Sequence, residues 1–230
     1  MEYTNRELLK HGSERLKAAG IAEADNDAWL LFSAATGMSR TDYFMRSTDA
    51  VPLYLRKLER REAHEPVQYI EGTAPFMGYE FVVNENVLIP RMDTEILVSE
   101  ALKLAEIMYA DRLRGTDFNI LDMCTGSGCI AQSVYLKKTG CETMVTAVDI
   151  SDRALEVAKL NADRLGADIS FIQSDLFEKV SGSFSMILSN PPYIRTDVIA
   201  DLEPEVKEHE PVLALDGTED GLYFYSRITQ

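Results

Sequence analysis

Leu8, Leu9, Leu16 and Ala19 recur at helical spacing behind Thr4, and Glu7 stands three residues after Thr4 in a capping-box pattern. Gly20 stops that run. "AEADNDAWLLFSAATG" predicts a second helix ending at Gly37, "SRTDYFMR" a short third, and "VPLYLRKLERREAHEP" a fourth closed by Pro66. Residues 1–65 therefore read as a small helical bundle. The texture then changes. Residues 66–93 set Gly72, Pro75, Gly78 and Pro90 among β-formers, and "YEFVVN" with "NVLIP" predicts a β-hairpin linker.

From Thr94 the pattern alternates. "TEILVSEALKLAEIMYADRL" predicts a helix, "FNILDM" a strand, "CIAQSVYLKKTG" a helix ending at Gly140, and "ETMVTAVDI" a strand. "SDRALEVAKLNADRLG" predicts a helix capped by Ser151, and "ADISFIQSD" and "FSMILS" two further strands. Strands separated by helices imply a parallel sheet with right-handed crossovers. The fold class over residues 94–230 is thus α/β, Rossmann-like and doubly wound, with ligands at the carboxyl ends of the strands.

Composition narrows the function classes. Of 230 residues, 46% are hydrophobic, enough for one or two domains with real cores. The formal net charge is −15, poorly suited to holding a nucleic-acid backbone. Residues 1–80 carry 10 basic and 13 acidic side chains, and residues 81–230 carry 13 and 25. The helical segment is the less acidic part and the better place for an acidic partner. Cys124, Cys129 and Cys141 form neither a zinc pattern nor a disulfide framework, which suits a reducing cytosol. His11, His64 and His209 are scattered, so no metal is expected. The charged first 20 residues do not make a signal peptide, and no stretch approaches the about 18 apolar residues of a membrane span. A cytoplasmic protein without membrane partners is expected.

Four stretches carry chemistry. In "ILDMCTGSGCIA" a strand turns into a helix through Cys124, Thr125, Gly126, Ser127 and Gly128. The helix N-terminus presents free amides, and Gly126-x-Gly128-x-x-Ala131 fits the dinucleotide fingerprint. A tight strand–helix turn explains the same residues. Asp149 closes the next strand, 23 positions after Gly126, where a carboxylate can grip ribose hydroxyls or cap the following helix. Together these two say adenosine-containing cofactor, either a dinucleotide or S-adenosylmethionine. Asp175 closes the third strand. It can accept from an adenine amino group, with Leu176 and Phe177 lining the ring, or it can cap a helix.

The fourth stretch is Asn190-Pro191-Pro192-Tyr193, behind the fourth strand and so at the same sheet edge. Prolines cannot donate to a ladder, which leaves the Pro191 carbonyl outside regular structure. Asn190 Oδ1 and Pro191 O can hold the two hydrogens of one planar amino group while Tyr193 stacks on its plane. Acceptors on those hydrogens favour positive charge developing on the nitrogen. Hydride transfer has no use for this arrangement, so it decides for S-adenosylmethionine.

"NPPY" after a fourth strand resembles the signature of amino-group methyltransferases, which act on nucleobases or glutamine side chains. "PVQYIEG", "PFMGYEFVVNENVLIPRMDTEILV", "LDMCTGSGCIA" and "EPVLALDGTEDGL" resemble the release factor glutamine methyltransferases, the PrmC/HemK family, over nearly the whole chain. The resemblance implies methyl transfer from S-adenosylmethionine, leaving S-adenosylhomocysteine, to the glutamine of the Gly-Gly-Gln loop of class I peptide chain release factors. It implies a helical domain over residues 1–65 that recognises the release factor, and a monomer without stable nucleic acid. By motif, Asn190, Pro191, Pro192 and Tyr193 are catalytic. Cys124 to Gly128, Asp149, Asp175, Leu176 and Asn190 bind the cofactor. Cys124 departs from the family by occupying the first Gly position of Asp-x-Gly-x-Gly-x-Gly. The family's fifth strand and antiparallel pair do not follow "DGLYFYSRITQ", so the sheet is expected to be truncated after the fourth strand. Two alternatives stay open at this stage. One is a nucleic-acid amino methyltransferase; the other is a non-catalytic fragment that binds S-adenosylmethionine or a release factor.

Overall fold

The computed structural model describes residues 4–45, 48–111, 118–137 and 143–230. Cys141 and the predicted helix end at Gly140 lie outside the described residues. The element order is α1 (Asn5–Ala18), α2 (Ala24–Thr36), α3 (Arg40–Met45), α4 (Val51–Glu62), α5 (Val67–Glu71), β1 (Thr73–Phe76), β2 (Tyr79–Val82), α6 (Met92–Asp111), β3 (Phe118–Met123), α7 (Cys129–Lys137), β4 (Thr143–Asp149), α8 (Asp152–Leu165), β5 (Ser170–Gln173), β6 (Met186–Ser189), a 3₁₀ turn (Thr196–Asp201), α9 (Pro204–Lys207), α10 (Val212–Leu215) and α11 (Tyr223–Ile228). None of the described helices is long and apolar enough to cross a membrane.

The chain divides into two compact units, Met1–Gly72 with Glu203–His209, and Thr73–Leu202 with Glu210–Gln230. The helical unit opens with the capping box at Thr4, whose hydroxyl accepts from the Glu7 amide while Glu7 answers to the Thr4 amide. Leu8, Leu16, Leu31, Phe32, Tyr54 and Leu58 fill its core. Two features extend this unit past the predicted boundary at residue 65. Pro66 starts α5, whose Ile70 joins the same core. Buried Arg61 donates to Asp27 Oδ2 at 2.8 Å and pairs with Glu205 at 2.6 Å, which brings Glu203–His209 into the unit from far along the chain.

The second unit is a four-stranded parallel sheet in the order β5-β4-β3-β6, with a separate antiparallel hairpin β1-β2. The strand–helix alternation and the parallel, doubly wound class are as the sequence predicts. The hairpin corrects one detail. Its arms are Thr73–Phe76 and Tyr79–Val82, whereas "NVLIP" is not a strand. Met77 and Gly78 both take positive φ, 52° and 83°, as a two-residue type I′ turn demands. Buried Phe76 and Phe81 pack with Val98 of α6, Ile120 of β3 and Val134 of α7 on one side of the sheet. Leu121, Met123, Val148 and Leu176 pack on the other, with Phe224 and Ile228 of α11 against them. Alternate residues of β3 thus face two covered layers, as expected for a buried parallel strand.

Candidate active site

β3, β4, β5 and β6 run parallel, so Met123, Asp149, Gln173 and Ser189 end at one edge of the sheet. A cavity of about 190 Å³ lies there. Cys124, Gly126, Asp149, Asp175, Leu176, Asn190 and Pro192 line it, with the turn before α6 and the segment around α10 closing it.

The turn after β3 is held from behind. Thr125 donates its hydroxyl to Asp122 Oδ2 at 2.6 Å, and the Ala131 amide donates to the same oxygen at 3.1 Å. The Thr125 amide reaches Val148 O at 2.9 Å. Thr125 and Ser127 are buried and, with Gly128, do not line the cavity. A Cβ on Gly128 would stand 2.4 Å from Gln132 Nε2 and 3.1 Å from the Ala158 Cβ, so this glycine serves helix packing. Cys124 adopts φ 62°, a left-handed conformation that a glycine would take without strain. Its thiol is pushed up to about 12, first by burial and then by the Asp149 charge. It is therefore no nucleophile at neutral pH.

Asp149 Oδ2 accepts from the Gly126 amide at 2.8 Å, and Oδ1 from the Ser151 amide at 2.9 Å. Ser151 itself caps α8, accepting from the Ala154 amide at 3.1 Å. Burial raises the Asp149 pKa, and the amides of Ser151, Gly126 and Ile150 oppose the rise. Asp122 is pushed up to about 7, chiefly by burial, against the Thr125 and Ala131 hydrogen bonds. Asp175 lines the cavity and also receives Arg227 Nη1 of α11 at 2.9 Å, a partner the sequence reading does not contain. Leu176 is buried with φ 46° and packs under the cavity.

Asn190 borders a second, open cleft of about 570 Å³ as well. Arg91, Met92, Asp93, Thr94, Leu97, Ser189 and Tyr193 complete this cleft. Of the four motif residues, Asn190 faces both spaces, Pro192 the cavity and the half-exposed Tyr193 the cleft, while Pro191 is buried. No hydrogen bond to the Pro191 carbonyl is found among the described residues. Ser189 Oγ, one residue before the motif, donates to Met123 O at 2.7 Å and ties the end of β6 to the end of β3.

The segment after the motif is clamped by "ALDGTEDGL". The Ile194 amide donates to Leu215 O at 3.0 Å, the Gly217 amide to Ile194 O at 2.7 Å, and the Thr196 amide to Thr218 O at 3.1 Å. Buried Glu210 accepts from the Ile89 amide at 3.2 Å and pairs with Arg91, which fastens the turn before α6 to the segment that carries α10. Asn161 of α8 accepts from the Val82 amide at 2.7 Å and donates to Val82 O and Ser127 O, each at 3.0 Å. Asn161, Glu210, Gly217 and the cavity-lining residues Pro211, Leu213 and Phe224 are not site candidates by motif. The available signal is the density of Gly, Pro and acidic residues in "EPVLALDGTEDGL".

Comparison with known proteins shows the family of the chain. Residues 7–72 match the PrmC N-terminal domain, and residues 99–203 match the methyltransferase small domain. The chain is 42% identical to a release factor glutamine methyltransferase of Agrobacterium fabrum, over 94% of this chain and 75% of that protein. It is 39% identical to one of Geobacter sulfurreducens, over 98% and 78%. Among solved structures, a ribosomal protein L11 methylase from Lactobacillus delbrueckii subsp. bulgaricus is similar at 26% identity and a TM-score of 0.36, over 54% of this chain and 57% of that one. With relatives at this identity along most of both sequences, the chain belongs to the release factor glutamine methyltransferase family.

Proposed function

We propose that this chain methylates the side-chain amide nitrogen of the glutamine in the Gly-Gly-Gln loop of class I peptide chain release factors, with S-adenosylmethionine as donor. The observation that carries the reading is the position of Asn190, which borders both the cavity at the strand ends and the neighbouring cleft. A donor in the first and an acceptor side chain in the second would meet at this residue.

The cavity fits the donor in its chemistry. Asp149 gives it negative charge, which complements a sulfonium, while the charge of Asp175 is shared with Arg227. Each Asp149 oxygen accepts one backbone amide and keeps a lone-pair direction for a ribose hydroxyl. Cys124, Gly126, Asp149, Asp175 and Leu176 would hold the cofactor; Thr125, Ser127 and Gly128 fix the turn behind it. Bound there, the cofactor supplies an electrophilic methyl group on sulfur.

On the cleft side, Asn190 Oδ1 would accept one hydrogen of the substrate amide and Tyr193 would pack on its plane; the carbonyl of the buried Pro191 would be the second acceptor. An amide nitrogen is a poor nucleophile because its lone pair is delocalised. Fixed acceptors orient that lone pair and stabilise the positive charge that grows on nitrogen. A bound S-adenosylmethionine would supply its methyl to this lone pair, and the electrons of the broken carbon–sulfur bond would stay on sulfur. One N–H proton then leaves to water in the open cleft. We assign release factor recognition to the helical unit and expect a cytoplasmic monomer. The net charge of −15 speaks against nucleic acid as the substrate.

The test is transfer of labelled methyl to a release factor by wild type and by Asn190→Ala. The wild type is expected to label it, and the variant to be slower by about 100-fold or more, as for loss of a transition-state acceptor. Calorimetry with S-adenosylmethionine separates loss of the acceptor from loss of cofactor binding, because Asn190 also lines the cavity. Equal rates in the two proteins would contradict the assignment.

A further inference from the structure

Arg91, Asp93, Thr94 and Glu95 crowd the start of α6, beside the cleft. Two of them are occupied by the scaffold. Arg91 pairs with buried Glu210, and Glu95 Oε1 accepts from the Met77 amide at 2.6 Å, which fixes the hairpin turn. Asp93 is exposed. Thr94 is different: it is buried, lines the cleft, and its Oγ1 receives Asn190 Nδ2 at 3.3 Å.

A carboxamide has two ends of nearly equal shape and opposite hydrogen-bonding sense. If Asn190 is to accept from a substrate amide, Oδ1 must point at the substrate nitrogen. The flipped side chain would place N–H groups against N–H groups. Among the described residues, Thr94 provides the hydrogen bond found for the Asn190 side chain. We propose that Thr94 is a positioning residue which, by accepting from Asn190 Nδ2, turns Asn190 Oδ1 toward the substrate nitrogen. The inference rests on the glutamine-methylation reading above. Thr94 is itself well anchored, since its amide donates to Arg91 O at 3.0 Å in the first turn of α6. Ser189 is tied to β3 on the other side, so the two partners are presented from fixed elements.

Two substitutions separate positioning from packing. Thr94→Val keeps the shape and removes the acceptor. Thr94→Ser keeps the acceptor and removes the methyl. With intact protein, S-adenosylmethionine and a release factor, Thr94→Val is expected to lower kcat roughly three- to tenfold, the net worth of one neutral hydrogen bond. The calorimetric Kd for S-adenosylmethionine and the KM for the release factor should not move, and Thr94→Ser should restore kcat. A packing role predicts the reverse order, with Ser more damaging than Val, and that order overturns the proposal. So does a Thr94→Val enzyme as fast as wild type. A wild-type protein that leaves the glutamine unmethylated overturns the functional reading and this inference together.

Discussion

Gly217 lies against the backbone of Tyr193, so close that a Cβ on it would stand 2.6 Å from the Tyr193 Cα and 2.7 Å from its carbonyl carbon. The contact is steric: Gly217 does not need a left-handed conformation, whereas Gly221 beside it has φ 73° and would meet Tyr193 O at 2.4 Å. The "ALDGTEDGL" segment thus acts as a mould for the chain leaving the motif. Gly217→Ala is expected to cost about 1–3 kcal/mol of stability, the usual penalty for an extra methyl in a filled site. It should also slow methyl transfer by displacing Tyr193. Thermal unfolding and a transfer assay check both effects; a variant with unchanged melting and rate would refute the mould.

Asn161 makes three hydrogen bonds from a fully buried position and joins α8 to the outer edge of β2 and to the cofactor turn at Ser127. Asn161→Leu leaves the Val82 amide and two carbonyls without partners. A loss of about 2–4 kcal/mol is expected, since a buried unsatisfied group costs about 1–3 kcal/mol and some of these groups can rehydrate. Urea denaturation measures it. A loss below that range would mean that water replaces the amide cheaply.

Asp122 makes stability depend on pH with a definite sign. Its carboxyl is held at about 7 in the folded protein, against an ordinary value of 3.8. Between those values the unfolded chain releases this proton while the folded chain keeps it, so the unfolded state gains. The contribution is therefore fully present below about pH 4 and is lost as pH rises through about 7. From about pH 5 to about pH 8, wild type should lose on the order of 2–3 kcal/mol more than Asp122→Asn. Chemical denaturation at several pH values tests this; parallel profiles for the two proteins would contradict it.

Arg61 is 5% exposed and answers two carboxylates, Asp27 and Glu205. Arg61→Met would strand Asp27 in the core of the helical unit, at a cost of about 3–5 kcal/mol. The double change with Asp27→Leu should recover much of that loss. If the single change unfolds at the wild-type denaturant concentration, the pair contributes nothing.

Local signals were the legible ones. β3 occupies the predicted span from Phe118 to Met123, and Ser151 caps α8, because a short apolar run and a cap are written within a few residues. The hairpin was harder. "NVLIP" has strand composition, but its Ile89 amide goes to Glu210, 121 residues away, instead of to a strand partner. The turn depends on a left-handed Met77, which composition does not announce. At the site, Asn190, Asp149 and the glycine turn could be proposed from strand ends alone. Thr94, Asn161 and Gly217 could not. Their tasks arise from contacts across 96, 79 and 24 positions respectively. Asp175 shows the same limit, since its ion pair with Arg227 spans 52 positions.

Asn190 and the Pro191 carbonyl are proposed to present one glutamine amide to the methyl donor. Tandem mass spectrometry of a class I release factor, after incubation with this protein and S-adenosylmethionine, tests it most directly. A single methyl on the side-chain nitrogen of the Gly-Gly-Gln glutamine, absent with Asn190→Ala, is the predicted result. An unmodified glutamine, or methyl groups found on nucleic acid in its place, would contradict it.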